Sequence, residues 1–90
     1  MIKQVKTESK ENKYNFKQGD YVFELEKHRK MNYKLFSYFH SFLNWEACLN
    51  EKEEVQAIAL HHKDYLECQY IMNNFTKKFN NRVIKQYQLI

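Results

Sequence analysis

The chain has 90 residues and a formal net charge of +4, from 15 basic and 11 acidic side chains, and 43% of its residues are hydrophobic. That allows one domain with a core, while 17% aromatic residues exclude a chain disordered throughout. One Gly and no Pro argue against an all-β protein, whose tight turns draw on both, and no run of 18 apolar residues offers a membrane-spanning helix.

The first 19 residues read as a polar basic arm, partly flexible, with Lys3, Lys6, Lys10, Lys13 and Lys17 among Gln, Ser, Glu and Asn. No apolar stretch follows the basic start, so a secretion signal is not expected, and Cys48 and Cys68 are expected as reduced thiols of a cytoplasmic protein. Residues 14–23 alternate aromatic and polar side chains around Gly19. They read as a small hairpin or as the approach to a helix capped by Asp20, and the helix is preferred.

From Asp20 to about Trp45 the pattern is helical. At about 100° per residue, Met31, Leu35, Phe36, Tyr38, Phe39, Phe42, Leu43 and Trp45 fall in one arc. Lys34, Ser37, His40, Ser41 and Asn44 fall opposite. His28 and Asn32 share the apolar arc, either as polar residues that fix register or because the seam begins only at Met31. Asn50-Glu51-Lys52-Glu53 then reads as a capping box, with the Asn50 side chain accepting from the N–H of residue 53 and Glu53 reaching back. The second helix carries Ile58, and from Tyr65 a seam of Cys68, Met72, Phe75 and Phe79 spaced three, four, three, four, continued by Val83, Tyr87 and Ile90. It runs unbroken over 51–88, or breaks at Asn73-Asn74 or Asn80-Asn81. Residues 20–90 are therefore expected to form one all-α domain. Its form is an antiparallel helical hairpin with coiled-coil character or a small helical bundle, and it is expected to dimerise.

Charge is segregated. Residues 1–34 sum to +4, 35–70 to −4 and 71–90 to +4. Folding the hairpin gathers Lys27, Arg29, Lys30, Lys34, Lys77, Lys78, Arg82 and Lys85 at one basic pole. The pole either complements helix ends or meets phosphate or an acidic protein. On the second helix, Leu60, Ile71 and Tyr70 lie away from the main seam and are the candidate partner-binding residues. His61, His62, Asp64 and Cys68, with His28 or His40, are the nearest approach to a zinc set, but no known ligand spacing is present and a part-buried seam is the expected role. His40 with a cysteine lacks an orienting group and an oxyanion hole, and no phosphate-binding or nucleophile-elbow motif occurs. No metal, cofactor or catalysis is expected.

The function expected from these residues is a non-enzymatic protein–protein interaction module: a small regulator, adaptor or inhibitor that binds another protein and also itself. Nucleic-acid binding through the basic pole and arm is the alternative. Lys outnumbers Arg 13 to 2, which fits an AT-rich coding source such as a phage or mobile element.

Overall fold

A computed structural model describes residues 7–42, 44–61 and 64–90. Among these residues, five strands and two helices follow in the order β1 (Glu8–Ser9), β2 (Tyr21–Lys30), α1 (Tyr33–His40), β3 (Trp45–Leu49), β4 (Glu54–Leu60), α2 (Tyr65–Phe79) and β5 (Val83–Leu89). They build one sheet with strand order β1-β5-β2-β4-β3. The β2–β4, β2–β5 and β3–β4 pairs are antiparallel, and β1 runs parallel to β5. From β2 to β5 the connectivity is β–α–β–β–α–β with its two halves interleaved, the split βαβ or ferredoxin-like arrangement. The all-α hairpin, bundle and coiled coil expected from the sequence are overturned.

The correction has local physical reasons. Tyr21, Phe23 and Leu25 point to the helix side of β2, while Val22 and Glu24 point to the other side, and all five are buried. A strand buried on both faces gives a continuous apolar run, which a helical wheel accepts as readily as a strand template. The helix period is real only over Tyr33–His40, where Leu35 and Phe39 are buried, and Asn32 is its N-cap, accepting from the Leu35 N–H. His28 lies exposed in β2, and Trp45 opens β3. Leu43 and His62 lie outside the described residues.

The polar cluster at Asn50 is a turn and not a capping box. Asn50 Oδ1 accepts from the N–H groups of Lys52 (2.9 Å) and Glu54 (3.0 Å), closing the hairpin between β3 and β4. Glu53 there takes φ +63°. The seam from Tyr65 to Phe79 does form a helix, α2, capped by Asp64, with Cys68, Ile71, Met72 and Phe75 buried. It ends at Asn80, in the left-handed conformation at φ +50°, so Asn73-Asn74 lies inside it and Val83 and Tyr87 belong to β5.

Two layers of apolar side chains flank the sheet. On the helix side, Phe39 stacks on Trp45 (5.5 Å between ring centroids) and packs on Phe75 (5.0 Å), which meets Phe79 (5.2 Å). Tyr38 Oη donates to the Ile71 carbonyl at 2.6 Å and ties α1 to α2. On the other side, residues 12–19 lie across the sheet. Phe16 is buried with Val22, Ala57, Ala59, Tyr87 and Leu89. Asn12 clamps that segment, donating to the Phe16 carbonyl and accepting from its N–H. Gly19, at φ +95°, makes the turn by which the chain enters β2, closed by the Asp20 N–H donating to the Lys17 carbonyl at 3.1 Å. Within the basic arm, Glu8–Ser9 pair at the sheet edge and Phe16, with Tyr14, packs against the sheet, while Lys10, Lys13 and Lys17 are exposed; Lys3 and Lys6 lie outside the described residues.

Candidate functional site

β3 is the outer strand on one side of the sheet, and among the described residues β4 is its sole ladder neighbour. The His61 N–H donates to the Asn44 carbonyl at 2.8 Å, and the Asn50 N–H to the Glu54 carbonyl at 2.9 Å, so both ends of the strand face β4 at even positions. Antiparallel backbones alternate in direction, so Trp45, Ala47 and Leu49 turn their N–H and C=O groups away from β4, toward solvent. The irregularity in the β3–β4 ladder sits on β4, where Gln56 is the extra residue between Val55 and Ala57, so β3 itself stays regular.

The side chains around this edge are apolar. Trp45, Ala47 and Leu49 share the helix side of β3, and Phe36 from α1 meets Trp45 edge-on at 5.7 Å. Phe36 is 46% exposed and Leu49 43%. A cleft of about 650 Å³ runs along the strand, lined by Tyr14, Phe16, Phe36, Trp45, Cys48 and Leu49 among others. The one ionisable carboxylate on the strand is Glu46. Lys and Pro, which natural edges use to repel another strand, are absent from β3.

The reverse face carries a buried carboxylate. Glu24 accepts from Tyr87 Oη at 3.2 Å and pairs with Lys13 Nζ at 3.7 Å. Burial, followed by the Glu24 charge, pushes the Tyr14 hydroxyl from its ordinary 10.0 up to about 12, and burial and Glu24 raise Tyr87 in the same direction.

A second cleft, of about 450 Å³, lies at the start of β2 and the end of β4 and includes Lys17, Asp20, His40, Trp45, Glu46 and His61. Asp20, 1% exposed, holds His61 Nδ1 at 2.8 Å. A buried carboxylate in that position fixes the orientation of the imidazole. The residues described around it include no Ser, Thr or Cys to serve as a nucleophile. Among the described residues no three His, Cys, Asp or Glu side chains converge to hold a metal ion. Sequence reasoning assigned Asp20 a capping role and missed this pair, because a 41-residue separation leaves no local signal.

Sequence-predicted residues are distributed as follows. Leu60 (2% exposed) and Ile71 (4%) are core residues on the helix side of the sheet, so they are not a back surface; Tyr70 is 67% exposed on α2. The fold does bring basic residues from β2, the end of α2 and the link before β5 together. Lys27 Nζ (3.0 Å) and Arg29 (3.3 Å) both donate to the Asn80 carbonyl at the end of α2, where Lys77 and Lys78 form the last turn. Arg82 pairs with Glu26 at 2.9 Å. Lys34 and Lys78 line a shallow cleft with Tyr33 and Tyr38, Lys30 ends β2 beside Glu54, and Lys85 lies over the Tyr87 ring. Cys48 and Cys68 are both free thiols. Cys68 is buried under α2, and burial, then the charges of Asp64, Glu67 and Asp20, push its pKa to about 12. Among the described residues no helix is long and apolar enough to cross a membrane.

Comparison with protein-family models, with characterised proteins and with solved structures found no match to this chain.

Proposed function

We propose that this protein is a non-enzymatic interaction module that holds another polypeptide by taking an extended segment of it as a further strand beside β3. The observation that carries this reading is the regular, unprotected edge at Trp45, Ala47 and Leu49, flanked by exposed Phe36 and Leu49. Main-chain hydrogen bonds at such an edge supply affinity, and the alternating side-chain sites beside it supply selectivity. The basic pole supports nucleic-acid binding less well. Lys27, Arg29 and Arg82 already have carbonyl or carboxylate partners, and the helix terminus accounts for Lys77 and Lys78.

The test uses a displayed library of extended peptides, selected on the full chain and counter-screened on Ala47→Pro. Proline removes the outward N–H of position 47 and leaves the β4 ladder intact. Selected peptides should slow hydrogen exchange at Trp45, Ala47 and Leu49 and bind Ala47→Pro about tenfold more weakly, the equivalent of ~1.4 kcal/mol. Peptides that bind both proteins equally, or protect only other segments, would refute the reading.

A further inference from the structure

We infer that the cleft between α1 and α2 holds a single strand of nucleic acid, with Tyr33 stacked on a base and Lys34 and Lys78 on its phosphates. This cleft shares no residue with the one along β3, so the inference goes beyond the docking edge and does not rest on it.

The cleft, of about 510 Å³, is lined by Tyr33, Lys34, Ser37, Tyr38, Ser41 and Lys78. Lys34, Ser37, Tyr38 and Ser41 recur at spacings of three and four, which sets them on one face of the α1 segment. Lys78 comes from the last turn of α2, and its ammonium lies 5.7 Å from the centroid of the Tyr38 ring. Tyr38 is itself held, because its hydroxyl donates to the Ile71 carbonyl.

No acidic side chain lines the cleft. Residues 27–45 and 68–90, which include all of its lining, each carry four Lys or Arg and no Asp or Glu. Among the acids of adjoining elements, Glu26 is taken by Arg82, and Glu46 alternates to the face of β3 opposite Trp45 and Ala47. Glu67 precedes Lys78 by three turns of α2, about 16 Å by helical rise. Among the described residues neither Lys34 nor Lys78 has an ion-pair partner. Lys78 suits the negative end of α2. Lys34 has no such explanation. It stands in the first turn of α1, where the helix's positive end disfavours a cation, and no acidic residue shares that turn.

The ring beside these cations selects the anion. Tyr33 is 83% exposed, the most open of the large apolar side chains described. An open aromatic face next to unpaired cations matches a single strand, which presents unstacked bases along a chain of phosphates. A duplex keeps its base faces stacked on one another, and a bare polyphosphate has none, so both would engage the lysines alone. Lys27, Arg29 and Arg82, already engaged within the fold, are not required.

The test is fluorescence anisotropy of a labelled oligouridylate on the full chain across a salt series. Competitors are the unlabelled strand, a duplex of equal length, inorganic polyphosphate and polyglutamate. The single strand should compete best. Tyr33→Ala should weaken binding about tenfold, within what one stacked base contributes, and leave the salt slope unchanged. Lys34→Gln and Lys78→Gln should each take about 0.7 off the log–log salt slope, the share of one phosphate on a single strand. Lys52→Gln removes the same charge at the β3–β4 turn and should change neither affinity nor slope. Ala47→Pro should bind the strand as the unsubstituted chain does, which separates this surface from the β3 edge. The inference is overturned if the strand fails to bind at low salt, or if Tyr33→Ala leaves binding unchanged. It is equally overturned if polyphosphate or polyglutamate competes as well, charge for charge, as the unlabelled strand, or if Lys52→Gln loses as much affinity as Lys34→Gln.

Discussion

Replacing Phe16 with Ala tests whether residues 12–19 are a structural layer. Phe16 is 7% exposed and seats against Val22, Ala57, Ala59, Tyr87 and Leu89. The two alanines beneath it are small and cannot fill the space its ring leaves. Removing a buried Phe costs about 3–5 kcal/mol where the surroundings stay rigid. The 12–19 segment is a surface loop and relaxes more than a core helix, so about 3 kcal/mol is expected, the low end of that range. With an m-value of about 1.5 kcal/mol/M in urea, the unfolding midpoint falls by about 2 M. Circular dichroism and intrinsic fluorescence read through the same urea series should report coincident transitions. A midpoint shift equivalent to less than ~0.5 kcal/mol, the size of an ordinary surface substitution, would refute the reasoning and make residues 12–19 a solvated arm.

Two further outcomes follow from the buried acids. The folded protein holds the protons of Tyr14 and Tyr87 more tightly than the unfolded chain does, because burial and Glu24 raise both. Their contribution to stability is therefore complete below about pH 10, the unfolded tyrosine value, and is lost as pH rises through the folded values. Urea midpoints should fall between about pH 10 and 12, with tyrosinate absorbance appearing in the same interval, and Tyr87→Phe should make the fall shallower; identical profiles for both proteins would count against the Glu24 contact. For the thiols, a disulfide reagent at neutral pH should modify Cys48 in the native protein and reach Cys68 only on unfolding, since burial lifts Cys68 to about 12. Equal native rates at both positions would show that α2 does not cover Cys68.

What was legible in the sequence were the segments in which one side faces a core and the other faces water. The three–four spacing from Tyr65 to Phe79 is α2, and the arc containing Leu35 and Phe39 is α1. The oxygen of Asn50 does satisfy backbone N–H groups, though those of a turn. β2 was illegible because Phe16, on the segment before the turn at Gly19, buries Val22 on the face that should have been polar. β4 was illegible because Gln56 interrupts its alternation, and Ala57 and Ala59, strong helix formers, lie against a covering segment. β3 did carry a signal: Trp45, Ala47 and Leu49 alternate with Glu46 and Cys48, but five residues are too few to outweigh the helical arc before them. The scarcity of Gly and Pro is compatible with a five-stranded sheet because Asn15, Asn44 and Asn80, with Glu53, take the left-handed conformations that Gly usually takes. Basic residues of β2, the end of α2 and Arg82 before β5 meet, but through Asn80 and Glu26 in a sheet–helix corner, not through a helical hairpin.

The placement of β2 sets the order in which the chain matures during synthesis. It is made first among the long strands, yet both of its neighbours, β4 and β5, come later, and β5 is the last of the described elements. Until residues 83–89 emerge, one side of Tyr21–Leu25 has no backbone to pair with, and β1 has no strand to lie beside. Contacts so distant in sequence slow folding, and an unpaired apolar strand is the part of a nascent chain most prone to join a wrong partner. A ribosome that stalls within α2 would thus release a product whose β2 is paired with β4 on one side and open on the other, a species for chaperones and proteases to capture.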